Sequence, residues 1–197
     1  MIPYQASMHH ILLHKRFKDE GITVGIGKDV TTEVVAPAQI PQFIEYDAEG
    51  MIAGYIVAEP FGTQVVNSGL GNVLALSKDL MAGHPCCAVV AREEVVKNNP
   101  EALQELISAL VASGKEVYGN LDSTVKTAVD FLGQPEDVVR AVLKDKRVSM
   151  DKLMPKPEEF TFMQDYLMDT VTAPALSGKI NVDDFFDLSF AKAAGAE

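Results

Sequence analysis

Apolar positions along this chain fall into two regimes. Before Ala91, short apolar or β-branched runs alternate with helix-like stretches. Ile2 to Gln5, Glu33 to Ala36, Ala53 to Ala58 and Asn72 to Leu76 are such runs, bounded by Pro, Gly and polar residues, and they predict strands. Cys86 to Ala91 is another. Between the first two, Met8, Ile11, Leu12 and Phe17 fall along one face of a helix. Ser7 stands where an N-cap belongs and Gly21 where the chain leaves the helix. Ala38 to Tyr46 carries Ile40, Phe43 and Ile44 at helical spacing, and Phe61 to Asn67 reads as a further helix. Strands alternating with helices predict an α/β region with a mainly parallel sheet.

From Pro100 onward the period changes. Leu103, Leu106, Ile107, Leu110 and Val111 recur at i, i+3, i+4 and i+7. Val125, Ala128, Val129 and Leu132 form a second stripe, ended by Gly133. Pro135 to Leu143, Phe160 to Val171 and Asn181 to Ala193 complete a mostly helical C-terminal region, the last organised around Phe185, Phe186 and Leu188. No internal repeat is visible.

Composition narrows the function. Of 197 residues, 17 are Lys or Arg and 28 are Asp or Glu, a formal net charge of −11. Phosphate backbones and anionic membranes are bound by clustered cations, so the balance argues against a nucleic-acid binder and against a peripheral binder of anionic membranes. No apolar run reaches the roughly 18 residues of a membrane span. Met1-Ile2-Pro3-Tyr4-Gln5 has no basic stretch followed by an apolar one, so no secretory signal is expected within this chain. The only cysteines, Cys86 and Cys87, are adjacent, which gives neither a disulfide framework nor zinc-ligand spacing.

Three patterns invite chemistry. His10 and His14 stand at i, i+4, with His9 beside them, a spacing that can bring two imidazoles to one metal. A metalloprotease-type site also needs a Glu beside the first His and a third ligand, and neither is evident; hydrogen-bonded or partly solvated histidines are the simpler reading, and no metal or cofactor is expected. Cys86 and Cys87 open an apolar run, where neighbours on a strand point to opposite faces and free cysteine is usually buried. The third pattern is the strongest. Pro3 to His9 reads as strand, tight turn and helix, with the small residues Ala6 and Ser7 at the turn. Free N–H groups at such a helix start, with the positive end of the macrodipole, attract anions and polar ligands. Ala58-Glu59-Pro60-Phe61 is a second strand end of the same kind, opening at the same sheet edge where α/β ligands bind.

The order of these pieces resembles the second half of the nitrate/sulfonate/taurine-type solute-binding proteins of ABC transporters. It rests on Ile2 to His9 as strand, small-residue turn and helix; on Gly50 to Gly54 leading into Tyr55 to Glu59-Pro60, with Ala53 in place of the usual acid; and on His84-Pro85-Cys86-Cys87 to Arg92 followed by Asn99-Pro100-Glu101. The resemblance implies one lobe of a type II periplasmic binding protein fold, with residues 1–80 as a complete α/β ligand-binding lobe. Residues 81–197 are then a crossover strand and the helical C-terminal part of an incomplete first lobe, the rest lying upstream. It implies a protein that is not an enzyme. Its expected work is non-covalent capture of a small polar or anionic organic solute in the periplasm, for an ABC permease.

The contacts so implied are Gln5, Ser7 and His9 at the first helix start and Glu59 at the second strand end, with His84 beside the crossover. Glu59 repels a bare anion unless the solute brings an amine or another donor. A half-lobe would bind weakly or not at all alone, and would cover its stripes with a second copy, as a homodimer. Two other users of the fold remain open. Ligand-sensing regulatory domains carry a DNA-binding segment, which is not seen here. Pyrimidine-precursor synthases pair a cysteine-rich motif with an active-site histidine.

Overall fold

The structure is a computed structural model that describes residues 1–169 and 177–197. Its helices are α1 (Met8–Asp19), α2 (Ile40–Glu45), α3 (Phe61–Asn67), α4 (Ser77–Leu80), α5 (Glu93–Asn98), α6 (Pro100–Glu116), α7 (Leu121–Leu132), α8 (Glu136–Lys144), α9 (Pro157–Asp169) and α10 (Ser189–Ala193). Contacts separate the chain into two compact units, Met1–Cys86 with Glu159–Ile180, and Cys87–Glu158 with Asn181–Glu197.

In the first unit α1 forms where the apolar spacing predicts it. Ser7 caps it, its hydroxyl accepting the His10 N–H at 3.2 Å, and the chain leaves through Gly21 at φ +73°. The exposed face holds the pairs Lys15–Asp19 and Arg16–Glu20. The buried face, Met8, Ile11 and Leu12, packs with Leu167 of α9 and is bordered by Ile56, Leu80, Met81, Phe162 and Tyr166.

The expected parallel sheet over 2–5, 33–36, 53–58 and 72–76 is present only as single-residue pairings. The Ile2 N–H donates to Glu33 O at 2.9 Å, and Ile2 O accepts the Val35 N–H at 3.0 Å, a parallel bridge to Val34. On its other side Met1 O accepts the Ile56 N–H at 3.1 Å, and the terminal amine donates to Gly54 O at 2.7 Å. The N-terminal segment thus lies between two parallel neighbours, but no pairing extends far enough to make a strand among the described residues.

Asn72 to Leu76 takes another course. Val73 and Leu74 are exposed, and the Leu76 N–H is bonded to the Asp79 carboxylate at 3.0 Å, which opens α4. Residues 84–92 belong to neither helix nor strand, and Cys86, Cys87, Val89 and Val90 are exposed, so the expected crossover strand with buried cysteines is not formed. An apolar run favours extended backbone but becomes a strand only when a partner satisfies its ladder.

In the second unit α6 packs against α5 and α10, and α7 against α8. The Asn120 side chain caps α7 by accepting the Ser123 N–H at 3.2 Å, and Gly133 ends it at φ +63°. Val125, Val139 and Leu143 form the core of that pair. Arg140 ties α8 to α7 through Asp122 at 2.7 Å. The single helix expected over Asn181 to Ala193 is broken into a 3-10 turn, Val182–Phe185, and α10. Phe185 is exposed, and Asp187 accepts the Ser189 N–H at 3.0 Å in between. The expected helix end at Val171 lies outside the described residues.

Candidate functional site

The turn before α1 is built by three hydrogen bonds. Ser7 donates its hydroxyl to Tyr4 O at 2.8 Å while accepting from the His10 N–H. The Ala6 N–H donates to His10 Nδ1 at 3.2 Å. Ala6 sits at φ +60°, a left-handed conformation that side chains rarely adopt, and the imidazole bond holds it there. His10 therefore works like the third-position residue of a capping box, reaching back to a backbone donor ahead of the helix. The Met8 and His9 N–H groups have no partner within the helix, and no acidic residue sits in the first turn to offset the dipole. The result is a small-residue turn with positive polarity.

The other expected contacts fall in different settings. Gln5 is exposed; Ser7, His9, Glu59 and His84 are half-buried. Burial lowers the His9 pKa, and the nearby His84 lowers it further, so these two side chains lie within electrostatic reach of one another. His84 also lies with its Nδ1 3.3 Å from Pro85 O. The Glu59 carboxylate turns onto its own helix, accepting the Thr63 N–H of α3 at 2.9 Å and lying against Gly62. It caps α3, whose N-cap position, Pro60, has no side chain able to do so.

Two further groups belong to this region. His10 is buried at 7% exposure, and its position at the third residue of the helix is the sequence signal that marks it. Tyr166, on α9, pairs its hydroxyl with His14 Nδ1 at 3.0 Å. Its separation of 152 residues leaves no local signal. Among the described residues no three His, Cys, Asp or Glu side chains are placed to hold a metal ion. A cavity of about 310 Å³ lies in the first unit against α2, lined by Gln42, Phe43, Tyr46, Asp47 and Ile52. None of the expected contacts lines it. Its carboxylate, Asp47, is bonded to the Met51 and Ile52 N–H groups at 2.9 and 2.7 Å.

The histidines give a pH prediction. Burial is the main cause that lowers His9, His10 and His14 below the ordinary value of 6.5; His84, His14 and Lys18 respectively add to it. The unfolded chain then binds more protons than the folded one below that value. Their contribution is complete above pH 6.5 and is lost as pH falls through the lower folded values. Urea midpoints should fall between pH 7.5 and 5.5, and His10→Gln should flatten the slope. A slope unchanged in the variant contradicts the assignment.

Comparison with known proteins adds to this geometry. Residues 2–129 match the NMT1-like family. The chain is 34% identical over 85 residues to the nitrate/nitrite binding protein NrtA of Synechocystis, covering 43% of this chain and 18% of that one. It is 31% identical over 135 residues to the nitrate import ATP-binding protein NrtC of Synechocystis, covering 68% and 19%. The solved ligand-binding component of an ABC-type import system from Staphylococcus aureus, with zinc bound, superposes with a TM-score of 0.79 at 25% identity. That overlay covers 98% of this chain and 62% of the other. The chain thus spans about a fifth of the curated relatives it matches.

Proposed function

Because the chain belongs to the NMT1-like family, we propose that it serves as solute-binding sequence of an ABC importer, capturing a small anionic or polar solute without covalent chemistry. The observation that carries this is the overlay on the ABC-type ligand-binding component across 98% of the chain. The nitrate-linked names of the relatives favour a small oxyanion such as nitrate, with bicarbonate and sulfonates in the same chemical class.

The solute's negative group docks at the start of α1. Met8 and His9 offer N–H groups, Ala6 and Ser7 let it approach the backbone, and Gln5 and His9 border it. The Glu59 carboxylate accepts the Thr63 N–H at the start of α3, which offsets part of its repulsion of an anion; a solute that also brings an amine or another donor meets it best. His84 acts through His9. The lobe assignment of 1–80 and 81–197, an extracytoplasmic location and an ABC permease as partner go with this reading. So does a second copy of the chain, for which the exposed Leu106 and Leu110 are the natural contacts.

Titration calorimetry with nitrate, bicarbonate and taurine tests the reading on the wild-type protein and on Ser7→Phe, whose ring would block the backbone. The expected result is saturable binding of one of them and at least a tenfold weaker affinity in the variant, about 1.4 kcal/mol. Equal affinities would remove Ser7 from the site.

A further inference from the structure

We propose that Cys86 and Cys87 form a thiol-modification site, which a low-molecular-weight disulfide of the glutathione type oxidises reversibly to a vicinal disulfide. Both side chains are exposed, and exposed thiols are the ones such reagents reach. Among the described residues the pair lies in the stretch 84–92, outside every helix and strand. That placement matters for the ring. Adjacent Cα atoms are about 3.8 Å apart across a trans peptide, closer than the roughly 4.4–6.8 Å that disulfides span. The peptide bond fixes that spacing, so the eight-membered ring closes only with the Cys86–Cys87 peptide twisted or turned cis, and the flanking backbone must follow. A pair inside a helix or ladder would have to break that element's hydrogen bonds, whereas this segment carries no such element.

The chemistry balances in two exchanges. One cysteine thiolate attacks a sulfur of the reagent disulfide, forming a mixed disulfide and releasing one reagent thiol. The neighbouring thiolate then attacks the protein sulfur of that mixed disulfide, closing the ring and releasing the second reagent thiol. The pair gives up two electrons and two protons; the reagent disulfide takes them up as two thiols. The second step is intramolecular, so it outruns attack by another reagent molecule. A ring closed against its preferred span is easily reduced, which makes the modification reversible.

The test exposes the intact protein to oxidised glutathione, blocks remaining thiols with N-ethylmaleimide, and analyses the tryptic peptide of residues 79–92 by mass spectrometry. Before oxidation the peptide should carry two maleimides. Afterwards it should carry none and be lighter by two hydrogens than the dithiol, and dithiothreitol should restore both labels. Cys86→Ser and Cys87→Ser should each take up one glutathione at the remaining thiol. A wild-type peptide that keeps glutathione on either sulfur, or still takes two maleimides, overturns the proposal. So does a variant whose remaining thiol the reagent does not reach.

Discussion

Gly114→Ala should destabilise the protein by about 1–3 kcal/mol, against the usual sign for this exchange. Alanine is preferred over glycine inside a helix by about 1 kcal/mol, and Gly114 lies within α6. The surroundings reverse that preference. A Cβ there would stand 2.1 Å from Met150 O and 2.8 Å from Leu153 Cδ1. A leucine tip can swing aside, but a backbone carbonyl moves only with its segment. The absence of a side chain at 114 is what lets the stretch after α8 lie on α6. Urea denaturation of Gly114→Ala beside the exposed Ser113→Ala checks this. The neighbouring exchange should stay within about 0.5 kcal/mol. A Gly114→Ala protein more stable than wild type would contradict the packing of 150–153 on α6.

Ile11→Ala should cost about 2–5 kcal/mol, the range for truncating a fully buried aliphatic side chain. Ile11 is 0% exposed and sits between Met8, Leu12 and Leu167 at the centre of the first unit's core. Two components add: the lost transfer of the side chain from water and the cavity left behind. The upper half of the range is expected because the neighbours come from separate parts of the chain, α1 and α9, and cannot all collapse inward together. The same change loosens the base on which the α1 turn rests. Chemical denaturation gives the number; a loss below 1 kcal/mol would mean that α1 is not seated on α9 as described.

The helices were legible because their hydrogen bonds and apolar spacing are local. Ser7 and Gly21 bracket α1 as expected, Phe61 to Asn67 coincides with α3, and Gly133 ends α7. The family was legible too, from the order of the Ile2 to His9, Tyr55 to Pro60 and His84 to Glu101 segments. Strands were not. Val73, Leu74, Val89 and Val90 have the residue types of buried strands but stay exposed, because pairing depends on a distant segment that local sequence does not announce. The short α4 and α5 carry no sequence signature because they are too brief to show a period. At the site, Ser7 was readable as a cap. The roles of His10 under Ala6 and of Glu59 over α3 were not, since each depends on a side chain turning back on its own backbone. Tyr166 against His14 could be seen only in three dimensions.

On the proposed function, a small anion is received at the start of α1. Amide spectra of the 15N-labelled protein, recorded during addition of sodium nitrate, sodium bicarbonate or taurine at constant ionic strength, test it most directly, because they detect weak binding and locate it. One of these solutes should shift the Met8 and His9 amides saturably, with smaller changes at Ala6 and Ser7, and Ser7→Phe should need at least tenfold more solute for the same response. Amides at the α1 start that stay fixed for all three solutes, or shifts no larger there than along α6, would contradict it.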